Sequence, residues 1–239
     1  MTSALVILQY NLFCRPSSFF WDRQRTRAQL IADNIYRLET HIRRSIDIIT
    51  VCEAFDHQAR NILCTKLLKQ GFYYHTAILG DGQNMDYLEE DISSCFHLCR
   101  RCLVTNGGVM VFSRHPLEYH QQYLFHSDQI EGSDSLANKG AIYIRFQKNK
   151  QTFHLFATHL QAWNSKEAQN TRVAEFRFLQ EKMKNIWSIL VSSLQNGLIT
   201  SHMMLCCLIC RLQLILTEEE ERARTHSNVE FQKVLPCRC

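Results

Sequence analysis

Residues 135–239 of this 239-residue chain contain no aspartate; the last one is Asp134. Any site built there that needs a short carboxylate must do without it. Proline (three) and glycine (eight) are also scarce, and charged residues make up 21%, which together exclude a collagen-like or linker-rich chain and wholesale disorder. No stretch reaches the roughly 18 to 20 uninterrupted apolar residues of a membrane-spanning helix. The nearest, Met203 to Leu216, is broken by Arg211 and Gln213. The opening MTSALVILQYN has neither a basic start nor a small-residue cleavage pattern, so it does not read as a secretory signal. The expected location is therefore cytoplasmic, with any membrane contact peripheral. Glycine-rich nucleotide loops, a nucleophilic serine arrangement and a dinucleotide fingerprint are all missing. The net charge of +4 suits an anionic substrate or lipid surface without requiring nucleic acid.

What is present is enough apolar material for one sizeable core: 46% of residues are hydrophobic. Eleven cysteines are scattered irregularly, an odd count that reads as reduced thiols rather than a disulfide framework. Cys99-x-x-Cys102 and Cys207-x-x-Cys210 have zinc-ligand spacing, but the long separation of the pairs and the apolar setting of the second favour buried thiols. Arg23, Arg25 and Arg27 read as an exposed basic helix face.

Three apolar runs each stop on a residue suited to phosphate or metal chemistry. ALVILQY runs into Asn11, DIITVC into Glu53 and FHLFAT into His159. A nearly continuous apolar run is a strand buried on both faces, and its C-terminal end is where a side chain first emerges into a cleft. An amide, a carboxylate and an imidazole on one rim are ingredients of metal-assisted hydrolysis. Taken singly, each is more simply a turn, solvent-facing or structural residue.

The intervening pattern predicts a strand at Ala4–Tyr10, a helix from Asp22 to Arg44 with Ala28, Leu30, Ile31, Ile35, Leu38 and Ile42 at helical spacing, and a second strand at Ile46–Cys52. Asp56 is placed to cap a helix at Gln58–Lys69 that Gly71 ends. This is a β-α-β unit, as in layered α/β architectures. Residues 75–106 read as exposed loop. Strands follow at Val109–Ser113, Ala141–Phe146 and Phe153–Thr158. Asn164 and Glu167 then open a helix with Val173, Phe176, Leu179, Met183 and Trp187 on one face. Beyond about residue 185 five cysteines, one glycine and one proline occur without clear strand–turn grammar, and that segment is expected to be disordered or helical.

The ordered elements YN11, CEAFD at 52–56, NGGVMVFSRHPL at 106–117, NKGAIY at 138–143 and ATHLQAW at 157–163 resemble the endonuclease/exonuclease/phosphatase superfamily, and within it the neutral, magnesium-dependent sphingomyelinases. The resemblance covers about residues 4–180. It implies an α/β (α+β) fold, a four-layer α/β/β/α sandwich with two mixed sheets face to face, here incomplete at its C-terminus. Residues 1–184 then form the N-terminal part of that domain and 185–239 a segment foreign to it. It further implies Glu53 as the carboxylate ligand of a catalytic Mg²⁺ and Asn11 as a partner of that ion or of the scissile phosphate. His159 becomes the catalytic donor to the phosphoryl oxygens. Lys139, beside Gly140, is a substrate-binding candidate placed to reach a phosphate, and Asp134 is placed to pair with it when substrate is absent.

The same resemblance calls for a later strand ending in Gly-Asp-x-Asn and a C-terminal Ser-Asp-His, and neither occurs. His202 and His226 have no aspartate beside them to orient an imidazole as a base. An altered reading frame, a retained intron or a degraded gene copy would each give such a chain. Two function classes are therefore expected. One is Mg²⁺-dependent hydrolysis of sphingomyelin, at a membrane surface, to ceramide and phosphocholine, weak or silent in this chain. The other is a non-catalytic relative that binds metal or lipid; a nuclease of the same fold stands behind both.

Overall fold

In a computed structural model of the chain, the structure describes residues 5–14, 23–81, 106–125, 132–194 and 201–208. The first unit runs β1 (Ile7–Cys14), α1 (Gln24–Ile42), β2 (Ile48–Ala54), α2 (His57–Lys69) and the short β3 (Tyr74–His75). Then come β4 (Met110–Ser113), β5 (Leu117–Leu124), a 3-10 turn at Gly132–Leu136, β6 (Gly140–Lys148), β7 (Gln151–His159), α3 (Lys166–Leu194) and β8 (Ser201–Leu208). One sheet has the order β1-β2-β4-β3 and the other β5-β6-β7-β8. The pairs β1–β2 and β7–β8 are parallel; the other neighbours are antiparallel.

β2 shows why the layers stack. Ile49 and Val51 join a core with Ala28, Ile31 and Ile35 of α1 and Leu63 and Leu67 of α2. Ile48 and Cys52 point the other way, into a core with Val111 and with Ile142, Ile144, Phe146 and Leu155 of the second sheet. The strand alternates between two buried faces, as its unbroken apolar run requires. On the far side of the second sheet Tyr123, Tyr143 and Phe156 pack with Phe178 and Leu179 of α3. The described residues thus form the expected four-layer α/β/β/α sandwich.

Asp56 caps α2, its carboxylate accepting from the Ala59 N–H at 2.7 Å. The cap of α3 is Ser165, whose Oγ accepts from the Ala168 N–H at 3.0 Å, rather than Asn164. α3 is also rotated from its expected face: Val173, Phe176 and Trp187 are exposed, and the buried stripe is Ala168, Thr171, Glu175 and Leu179. Leu30 of α1 is likewise exposed. Two further corrections concern strands. β5, sequence LEYHQQYL, alternates poorly and was not expected. β8 pairs in parallel with β7 over eight positions, from Thr152–Ser201 to His159–Leu208, where a disordered or helical segment was expected. Backbone pairing with an apolar neighbour made this strand, without turn residues to announce it. Cys99, Cys102 and Cys210 of the zinc alternative, and His226, lie outside the described residues.

At the end of the sandwich opposite the strand ends that carry Asn11, Glu53 and His159, Asp47 joins both sheets. Its carboxylate accepts from the Val6 N–H at 2.8 Å and from Lys148 Nζ, at the end of β6, at 2.7 Å. His115 Nε2, from the β4–β5 turn, lies 2.9 Å from its other oxygen, and the His115 ring stacks on Phe146.

Candidate active site at the strand ends

Asn11 and Glu53 emerge from neighbouring parallel strands. Between the pairs Asn11–Cys52 and Cys14–Ala54, two residues of β1 (Leu12 and Phe13) oppose the single residue Glu53. This bulge re-aims the side chains at the end of the ladder. Glu53 has φ 54° and Phe13 φ 53°, both in the left-handed region that L-residues rarely adopt. Gly108 (φ 68°) makes room for the turn: a Cβ there would stand 2.9 Å from the Phe55 ring and 3.3 Å from Glu53 Cα. The Gly108 carbonyl accepts from the Ala54 N–H at 2.9 Å, so β2 is held close to the chain entering β4.

The Asn11 amide nitrogen donates to Glu53 Oε1 at 2.8 Å, while its Oδ1 accepts from the Phe13 N–H at 2.8 Å. Asn11 therefore orients the carboxylate with its NH₂ end. From the opposing sheet, His159 Nε2 lies 3.8 Å from the same Glu53 oxygen. The expected three residues, drawn from three strands and two sheets, are brought together. His159 is only 4% exposed. Burial, with the positive charge of Lys139 second, holds its imidazole well below the usual histidine range, so it is neutral at pH 7.

Lys139 is buried (3% exposed). Its ammonium lies 2.8 Å from Asp134 Oδ2 and donates to the Leu160 carbonyl at 2.8 Å. The expected pairing with Asp134 is present. The Lys139 charge also acts on His159, second to burial. Asp134 Oδ2 also accepts from the Ala162 N–H at 2.7 Å, and Glu175 Oε2 from the Gln161 N–H at 2.9 Å. Arg172 Nη1 donates to the carbonyls of Gln161, Ala162 and Trp163 at 2.9, 3.3 and 2.6 Å. Burial pushes the Glu175 carboxyl up to about 7. Sequence reasoning missed Glu175 and Arg172 as supports of the loop after His159. A carboxylate in the middle of an apolar helix stripe was the available signal.

One carboxylate with an amide beside it fits a hard divalent ion such as Mg²⁺, which keeps several waters and takes one or two carboxylates from a protein. Among the described residues no group of three or more His, Cys, Asp or Glu side chains converges on a metal position. Glu53 is the residue that would hold the ion. Nor is any described helix long and apolar enough to cross a membrane.

No protein-family model matches the chain. A sphingomyelinase C of Leptospira interrogans is 32% identical over 216 residues, covering 84% of this chain and 36% of that protein. Among solved structures, sphingomyelinase C from Streptomyces griseocarneus superposes with a TM-score of 0.62 at 22% identity, covering 86% of this chain and 64% of that one. A mutant beta toxin of Staphylococcus aureus with bound magnesium ions gives 0.60 at 23%, covering 75% and 58%. The chain spans about a third of the length of the Leptospira relative. With its strand-end motifs, its four layers and this similarity, the chain is a homologue of the bacterial sphingomyelinases C.

Proposed function

We propose that the chain is a sphingomyelinase-like phosphodiesterase that binds Mg²⁺ at Glu53 and acts, weakly, on the phosphodiester of sphingomyelin to give ceramide and phosphocholine. The observation that carries this reading is the approach of Glu53 and His159 across the two sheets, with Asn11 fixing the carboxylate. When bound, the ion supplies charge neutralisation at the phosphoryl oxygens. Glu53 holds it, and Asn11 keeps that carboxylate aimed into the cleft. Neutral His159 donates an N–H to a non-bridging oxygen as charge develops there, and its burial strengthens that bond. Burial, with the Lys139 charge second, keeps the imidazole neutral.

Activation of the water is the weak link. β8 reaches the rim opposite His159 at Leu208, and no aspartate follows Asp134. Loss of a general base costs about two to four orders of magnitude. That observation favours a second reading, a non-catalytic relative that binds metal or lipid. Phosphocholine release from sphingomyelin by the purified chain, in Mg²⁺ and in EDTA and with DNA assayed in parallel, separates the two. The expected result is slow, Mg²⁺-dependent release from sphingomyelin alone, lowered at least about a hundredfold by Glu53→Gln. Silence on both substrates, or release indifferent to EDTA and to Glu53→Gln, overturns the enzymatic reading.

A further inference from the structure

Among the described residues, two large exposed aromatic residues that follow the strands of the candidate site share an unusual construction. Phe13 stands two residues past Asn11 on one sheet, and Trp163 four residues past His159 on the other. Their exposures are 47% and 60%. Both adopt a left-handed backbone, Phe13 at φ 53° and Trp163 at φ 73°. A bulky aromatic side chain pays steric strain in that region, so its presence calls for a reason.

Each strained backbone is tied down by polar side chains. The Phe13 N–H donates to Asn11 Oδ1 at 2.8 Å, and its carbonyl accepts from Arg27 Nη2 at 2.8 Å. The Trp163 carbonyl is the shortest of the three bonds that Arg172 makes. Phe13 and Trp163 thus follow the site residues of opposite sheets with exposed side chains, and the Arg27 guanidinium lies 5.8 Å from the Phe13 ring centroid. Leu136, 53% exposed, belongs to the turn whose Asp134 anchors Ala162, beside Trp163. Arg23 and Arg25 are exposed at the start of α1, next to the Arg27 that holds Phe13.

We propose that Phe13 and Trp163 are the two contact points by which this end of the sandwich seats on a phospholipid bilayer surface. Aromatic rings with one apolar and one wet environment partition to the headgroup level of a bilayer. Nearby arginines complement headgroup phosphates and the negative charge of anionic lipid. A bilayer is also where the sphingomyelin phosphodiester would lie, so contact next to the site residues of both sheets would bring the cleft down onto it. This inference rests on the phospholipid reading of the site and adds the surface by which the chain meets its substrate.

The test is co-sedimentation of the full chain with unilamellar phosphatidylcholine vesicles, with and without added phosphatidylserine, in EDTA so that no metal-dependent turnover intervenes. Phe13→Asn and Trp163→Asn remove the rings while supplying a residue that tolerates the left-handed backbone. Each is expected to weaken binding about tenfold and the pair more, with the unfolding midpoint unchanged or raised. Phosphatidylserine is expected to tighten binding by the parent. Trp187→Gln, on the outer face of α3, is expected to bind like the parent. The proposal is overturned if the parent stays in the supernatant, if the double variant binds as well as the parent, or if Trp187→Gln loses as much. It is also overturned if the rings instead hold two copies of the chain together, read as a dimer that Trp163→Asn dissociates. Vesicle binding lost in the double variant while the parent hydrolyses nothing would refute the enzymatic reading alone.

Discussion

Among the described residues there are two β-α-β units with parallel strands, and they reach the same rim by different means. β1-α1-β2 ends in Asn11 and Glu53; β7-α3-β8 ends in His159 and Leu208. The first fixes its side chains through backbone geometry: a bulge, a left-handed glutamate and a glycine that lets Phe55 approach. The second fixes His159 through buried charge: Lys139 against Asp134, and Glu175 and Arg172 on the loop that follows. One half of the site therefore depends on shape, which is insensitive to pH, and the other on ionisation.

The largest expected break in this comparison is Lys139→Met. It removes the buried ammonium that pairs with the half-buried Asp134 carboxylate and should cost about 2–4 kcal/mol in urea unfolding. It should also raise the His159 pKa, read by NMR titration, because the lysine charge contributes to holding it down. A loss below about 1 kcal/mol would mean that buried charge does not support this half.

Gly108→Ala should cost about 1–3 kcal/mol through its positive φ and the contact with Phe55. The loss should be the same at pH 5 and pH 8, since no titrating group is involved. A loss that changed with pH would erase the contrast.

Glu175→Gln sharpens the comparison with a smaller, signed effect. The folded pKa of Glu175 is raised to about 7 from the model-peptide value of 4.5, so the folded state binds the extra proton between those values. Its contribution is complete below about pH 4.5 and is lost as pH rises through about 7. Glutamine removes that loss, so the variant should gain on the order of 1–3 kcal/mol relative to the parent between pH 5 and pH 8. His154, pushed down to about 4 by burial, and His159 act in the opposite sense. Their penalty is absent above about pH 6.5 and grows as pH falls below it. Chemical denaturation at several pH values checks both signs.

Asn11, Glu53 and His159 were legible because each ends an apolar run, and β2 and β7, buried on both faces, must stay apolar up to that end. The bulge at Leu12 and Phe13 was not legible, since nothing in ILQYNLFC marks an extra residue. β5 escaped because LEYHQQYL buries little of itself and is a strand by virtue of its partner β6. β8 escaped for a related reason: MMLCCL is uniformly apolar and fits helix or strand until a neighbour decides. The burial of Lys139 was not legible because it comes with Asp134 and the Leu160 carbonyl, which the chain brings together only after the sheets have packed.

The Asp47 cluster carries a mechanical consequence. A single carboxylate fastens β1, the β4–β5 turn and the end of β6 to one another at the far end of the sandwich. The two sheets are thus tied by polar bonds at one end, share a buried core between, and meet again at the other end through Glu53 and His159, so the 3.8 Å there is a span framed from both sides of the core.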